Sequence, residues 1–122
     1  MYRQVIVWQK SMELVPVVYN LTYLLPDTEK YGLISQIRRS VVSIPSNIAE
    51  GKMRGSRKEY LQFLIIARAS GAELETQLQI LKNIKMNDNV YYPKTIDLLE
   101  EIMKMLNSII STIREQIKSG LY

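Results

Sequence analysis

The chain has no cysteine and no histidine. Without cysteine, disulfides and thiolate–metal sites are excluded. Without histidine, the commonest general base and the commonest metal ligand are missing too. Phe and Trp occur once each, and glycine and proline are sparse at five and four. No long apolar run exists either: the most apolar segment, Phe63 to Ala67, is cut off by Arg68, far short of the roughly 20 residues of a membrane span. The opening "MYRQVIVWQK" holds too short an apolar run for a signal peptide and no small-residue cleavage site. The expectation is a cytoplasmic protein with no membrane partner.

Catalytic patterns are missing as well. Neither a phosphate-binding loop motif nor a serine-elbow motif occurs. Di-iron bundles need Glu-x-x-His motifs, which a chain without histidine cannot supply. Glu73 and Glu75 are two apart, so they point to different sides of a helix and form no carboxylate pair. No catalytic, metal or cofactor residues are therefore expected, nor a small-molecule substrate, and the chain reads as a non-enzyme.

What is present is one domain's worth of chain, residues 1–122. A domain of this size buries roughly two-thirds of its unfolded surface. Four helical stretches with short connections emerge, and no segment alternates long enough for a strand. The first runs from about Val5 to Leu25, ending before Pro26, with apolar residues at Trp8, Met12, Val15, Val18 and Leu25 beside Thr22. Pro16 predicts a kink within it. The second is expected to start near Asp27 or Thr28, either of which can cap it, and shows one apolar face at Ile34, Ile37, Val41, Ile44 and Ile48. Gly51 and Gly55 allow the chain to turn.

The third opens on Ser56-Arg57-Lys58-Glu59, a capping box, and its seam is Tyr60, Leu64, Ala67, Gly71, Leu74, Leu78 and Leu81. The fourth follows the polar loop "MNDNVYY", with Pro93 in its first turn. Its seam is Ile96, Leu99, Met103, Leu106, Ile110, Ile113 and Ile117. Together they predict an all-α, antiparallel up-and-down four-helix bundle.

Second apolar rows lie beside these seams: Phe63, Ile66, Ile80 and Ile84 on the third helix, and Leu98, Ile102, Met105 and Ile109 on the fourth. Leu61, Ile65 and Ala72 add a further side. They imply either contact with another subunit or a wide core stripe. Polar residues also recur at helical spacing. Gln36, Ser40, Ser43, Asn47 and Glu50 form one row, and Ser70, Glu73 and Gln77 another. If buried, these rows must satisfy one another, because an unpaired buried polar group costs about 1–3 kcal/mol.

The segment "SQIRRSVVSIPSNIAEGKMRGSRKEYLQFLIIARASGAELETQL", with "VWQKSMEL" and "LPDTEKYGL" before it, closely resembles the four-helix bundle protein family encoded within intervening sequences of bacterial 23S ribosomal RNA genes. The resemblance covers about residues 5–85, and the fourth helix fits by pattern. It implies a four-helix bundle assembled as a ring of five subunits. A more distant related group accompanies reverse transcriptases in diversity-generating retroelements, where a basic pentameric barrel is thought to engage nucleic acid and the polymerase.

The net charge of +4 is uneven. Residues 30–68 hold eight Lys and Arg against two Glu, a local +6, while each flank carries −1. Within this segment Arg38, Arg39, Lys52, Arg54, Arg57 and Lys58 form the candidate nucleic-acid-binding cluster. Arg57 and Lys58 fall in the first turn of the third helix, where cations oppose the helix dipole and free amides favour anions. Such a cluster positions a phosphate backbone without reading bases, and a ring multiplies a weak site. The other reading is an ordinary solvated turn with Glu59 compensating. Tyr91 and Tyr92 either stack on unpaired bases or pack over a helix end. "SIPSNIAEG" reads either as a packed kink at Pro45, repaired by Ser43, Ser46 and Asn47, or as a ligand site.

The leading functional expectation is a non-catalytic homo-oligomer whose basic surface contacts structured RNA or other nucleic acid. The alternative is a protein–protein interaction module, such as an accessory subunit of a polymerase, with its charge incidental.

Overall fold

A computed structural model describes residues 1–29, 32–84 and 92–122. After a 3-10 turn at Tyr2–Gln4, four helices follow: α1 (Ile6–Tyr23), α2 (Leu33–Met53), α3 (Arg57–Ile84) and α4 (Pro93–Lys118). Each packs on its two neighbours in the cyclic order α1, α2, α3, α4, with no close backbone approach across either diagonal among the described residues. Cross-contacts fix the antiparallel directions. Arg38 reaches Thr22, Ser43 meets Ser70, and Arg57 meets Gln116. The result is the expected all-α four-helix bundle.

The seams of α2, α3 and α4 line the core. Ile34, Ile37, Val41, Ile44 and Ile48 are all buried, as are Leu64, Ala67, Leu74, Leu78 and Leu81 opposite Leu99, Leu106, Ile110 and Ile113. In α1 the buried line is Val7, Ser11, Leu14, Val18, Leu21 and Thr22. The expected Val18, Thr22 and Leu25 belong to the core, Trp8 and Val15 are half-buried against it, and Met12 is exposed. Ser11 explains the one-residue slip. Its hydroxyl donates to the Trp8 carbonyl at 2.8 Å, so a polar residue sits inside satisfied. The larger side chains move to a surface groove of about 430 Å³ shared with Val42 and Pro45 of α2.

The expected start of α2 is corrected too. Asp27–Glu29 makes only a 3-10 turn, and α2 begins at Leu33 after Gly32, whose φ/ψ of −99/−108° is not helical. α1 and α2 run on through Pro16 and Pro45. Near Pro45, Ser46 donates to the Val42 carbonyl and Asn47 to the Ser43 carbonyl, both at 2.8 Å. These are back-bonds to the carbonyls four residues earlier, and neither reaches the Val41 carbonyl that Pro45 leaves without an amide partner.

The polar rows of α2 and α3 meet each other within one chain. The Ser40 hydroxyl donates to Glu73 Oε1 at 2.8 Å, with Gln77 Oε1 at 2.9 Å. Ser43 and Ser70 share a 2.8 Å bond, and Asn47 donates to Ser43 Oγ at 2.9 Å. Among the described residues no buried side-chain polar atom lacks a partner. Small side chains here let the two helices approach closely. A Cβ on Gly51 would stand 2.6 Å from Phe63 Cβ, an atom too near its own backbone to rotate aside. Gly51→Ala gains about 1 kcal/mol of helix propensity but overpacks the contact by about 1–3 kcal/mol. The expected net result is a lower denaturant midpoint.

The two second rows have different fates. On α4, Ile102 is buried and Leu98, Met105 and Ile109 pack against the core, so that row is a wide core stripe. On α3, Ile66, Ile80 and Ile84 are 46%, 42% and 53% exposed. Ala72 is exposed as well, while Phe63, Leu61 and Ile65 are half-buried.

Candidate nucleic-acid interface

α2 ends at Met53, and Gly55 takes φ +89°, a left-handed value that favours glycine. The chain then reverses into α3, with the Glu59 amide donating to Ser56 Oγ at 3.2 Å as the capping box requires. This turn brings Lys52, Arg54, Arg57 and Lys58 to one end of the bundle. Arg38 and Arg39 lie inside α2, more than one turn in from its other end at Leu33. Fourteen residues separate Arg38 from Lys52, about 21 Å of helix rise. The six cations therefore form two groups on a single chain.

Their partners are mostly neutral. Lys52 Nζ lies 5.2 Å from the centre of the Tyr60 ring, and Arg57 Nε donates to Gln116 Oε1 at 3.0 Å. Arg38 stacks on tyrosines, and exposed Arg39 and Lys58 have no partner among the described residues. Among the described residues only Arg54 of the six pairs with a carboxylate, Glu50 at 2.9 Å, while also lying over Phe63. Neutral groups orient a cation without cancelling its charge, so five of the six keep their field.

The turn faces the far end of α4 across a cleft of about 570 Å³ lined by Lys52, Ser56, Arg57, Tyr60 and Gln116. Gly120, at φ +87°, closes α4. Its amide bonds the Ile117 carbonyl, and that of Leu121 bonds the Gln116 carbonyl. The turn sets Tyr122 on the start of α3, where the Arg57 amide donates to the Tyr122 main-chain oxygen at 2.6 Å. Exposed Arg114 and Lys118 flank the same end, Lys118 within 3.7 Å of Glu115. Reading charge by segment hid them, because residues 69–122 sum to −1. Only the antiparallel return of α4 brings them to the end of the bundle where α3 starts, lining one surface hollow with Leu61 of α3.

Tyr92 is half-buried at the start of α4 under Lys82, 5.9 Å from its ring centre, and packs over a helix end. Tyr91 lies outside the described residues. Burial pushes the Tyr60 hydroxyl above its ordinary pKa of 10.0, and does the same to Tyr92. A raised folded pKa means that the fold favours the neutral phenol. That stability is complete below about pH 10 and is lost as pH rises through the folded values. In an alkaline titration followed by circular dichroism, Tyr60→Phe is expected to hold its helicity to higher pH than the natural chain.

The sequence profile described as 23S rRNA-intervening sequence protein matches residues 3–108. The chain belongs to that family. All six candidate cations lie inside the matched segment, which also takes in the first part of α4. Arg114, Gln116 and the closing turn lie beyond it. A solved structure is similar in fold: a protein of unknown function, from the S23 ribosomal protein family, of Bacteroides thetaiotaomicron. It is 32% identical with a TM-score of 0.76, over 85% of this chain and 97% of that one. No curated protein matches the chain. Among the described residues no helix is long and apolar enough to cross a membrane, and no acidic cluster could hold a metal ion.

Proposed function

We propose that this member of the 23S rRNA-intervening sequence protein family is a non-catalytic, cytoplasmic homo-oligomer. It binds the phosphate backbone of structured RNA or other nucleic acid through the α2–α3 end of the bundle. The observation that carries this reading is the set of oriented but unneutralised cations there. Lys52 and Arg57 are held by Tyr60 and Gln116, and Lys58 has no partner among the described residues. Arg57 and Lys58 also sit in the first turn of α3, where their charge opposes the helix dipole. A bound polyanion would remove that conflict. Contacts of this kind position a backbone and carry no sequence information.

Self-association supports the binding, because copies arranged in a ring, five in this proposal, multiply a weak site. The surface available for it is apolar: the Trp8–Met12–Val15 groove and the Ile66, Ile80 and Ile84 row. Light scattering at micromolar concentration is expected to give a multiple of 14.2 kDa, and a monomer mass would remove the oligomer. That same apolar surface favours the second reading, a protein–protein interaction module. Titration of labelled structured RNA and duplex DNA across a salt series separates the two. Binding that weakens steeply with salt and depends on Lys52, Arg57 and Lys58 supports the first. No binding at low salt, or binding indifferent to those residues, leaves the second.

A further inference from the structure

Tyr19 and Tyr23 lie one turn apart on α1, so their rings leave the same face. Arg38 crosses to them from α2. Its guanidinium carbon lies 4.7 Å from the centre of the Tyr19 ring and 4.8 Å from that of Tyr23. Its Nε donates to Thr22 Oγ1 at 2.9 Å, and the Thr22 hydroxyl donates onward to the Tyr19 carbonyl at 2.8 Å. Thr22 is buried, so this relay ties the guanidinium to a fixed backbone.

A staple between two helices would need no more than that, yet the arrangement leaves three groups open. The terminal amino groups of Arg38 have no acceptor among the described residues. Tyr23 remains 70% exposed, although a ring that served only packing would bury more of its area. Arg39, the next residue, is exposed and has no partner among the described residues. An arginine already held has little rotamer freedom left to lose on binding. An open aromatic face beside uncancelled cations is what single strands require, the base on the ring and the phosphate on the guanidinium. A duplex hides its base faces inside its own stack and has nothing to place on Tyr23.

We infer that the Tyr19–Arg38–Tyr23 stack is a docking point for an unpaired nucleobase of a single-stranded nucleic acid. The base extends the stack on Tyr23, while the Arg38 amino groups and Arg39 take the flanking phosphates. This rests on the nucleic-acid reading above and adds to it a preference for unpaired strands. It also adds a second contact, at the opposite end of α2 from Lys52.

The test is fluorescence anisotropy with labelled oligoadenylate, alone and annealed to oligouridylate, at one low salt concentration. Tyr23→Ala is expected to weaken the single strand roughly tenfold and to leave the duplex within about twofold, while Tyr23→Trp restores single-strand binding. Arg38→Lys keeps the charge but loses the planar stack, and is expected to weaken the single strand as well. Circular dichroism on each variant confirms the helical content. An unchanged affinity of Tyr23→Ala for the single strand, or an equal loss on both probes, overturns the inference while leaving binding at the α2–α3 end intact. Failure of the natural chain to bind either probe overturns both together.

Discussion

Leu74→Ala is expected to lower the unfolding free energy by about 3 kcal/mol, within the range for leucine truncation in a packed core. Leu74 is 0% exposed on the α3 seam, so the lost transfer energy and the cavity term act together. For a domain of this size the loss lowers the melting temperature on the order of 10 °C. Ile66→Ala is the comparison. At 46% exposed, it should cost less than about 1 kcal/mol, yet it removes part of the surface proposed for self-association. The two variants thus separate folding from assembly: Leu74→Ala moves the melting transition, and Ile66→Ala moves the mass seen by light scattering. Both need the same protein concentration, because assembly makes the melting temperature depend on it. A melting curve unmoved by Leu74→Ala would contradict the core described above.

Reversing Lys52, Arg57 and Lys58 together to glutamate is expected to have the largest effect on binding. Each phosphate contact contributes about 0.9 to the log–log salt slope on duplex DNA and about 0.7 on single strands. Losing three contacts therefore flattens the slope by about 2–3, with affinity at low salt falling a hundredfold or more. The variant is not expected to unfold. Glutamate in the first turn of α3 suits the helix dipole better than Arg57 and Lys58 do, by about 0.3–1 kcal/mol each. The loss of the Arg57–Gln116 bond offsets part of that, at about 1 kcal/mol. Lost binding in a protein that melts no earlier would locate the backbone contact at this end. A slope unchanged from the natural chain would show these cations to be solvated surface.

Helices α2, α3 and α4, with their buried seams, are legible in the residues alone, because a 3.6-residue period reports which side of a helix is apolar. Ser56 and Pro93 mark the starts of α3 and α4 for equally local reasons, a cap and a tolerated first-turn proline. The family resemblance is also carried by contiguous residues and needs no fold to be seen. The face of α1 is a different matter. Trp8, Met12 and Val15 make as good a stripe as Val7, Leu14 and Leu21, and only the neighbouring helices decide which stripe is covered. For the same reason the second row of α4 packs on the core while Ile66, Ile80 and Ile84 of α3 stay open.

The candidate site shows the same division. The chain by itself determined that a basic stretch exists and that its charge is concentrated between residues 30 and 68. Only the tertiary structure separated Arg38 and Arg39 from Lys52, Arg54, Arg57 and Lys58. It also brought Arg114 to the end of the bundle where α3 starts and gave Arg38 two tyrosines to lie on. Charge is a property of residues and adds up along a sequence. Whether it is cancelled, oriented or gathered depends on groups distant in sequence that antiparallel packing brings within a few ångströms.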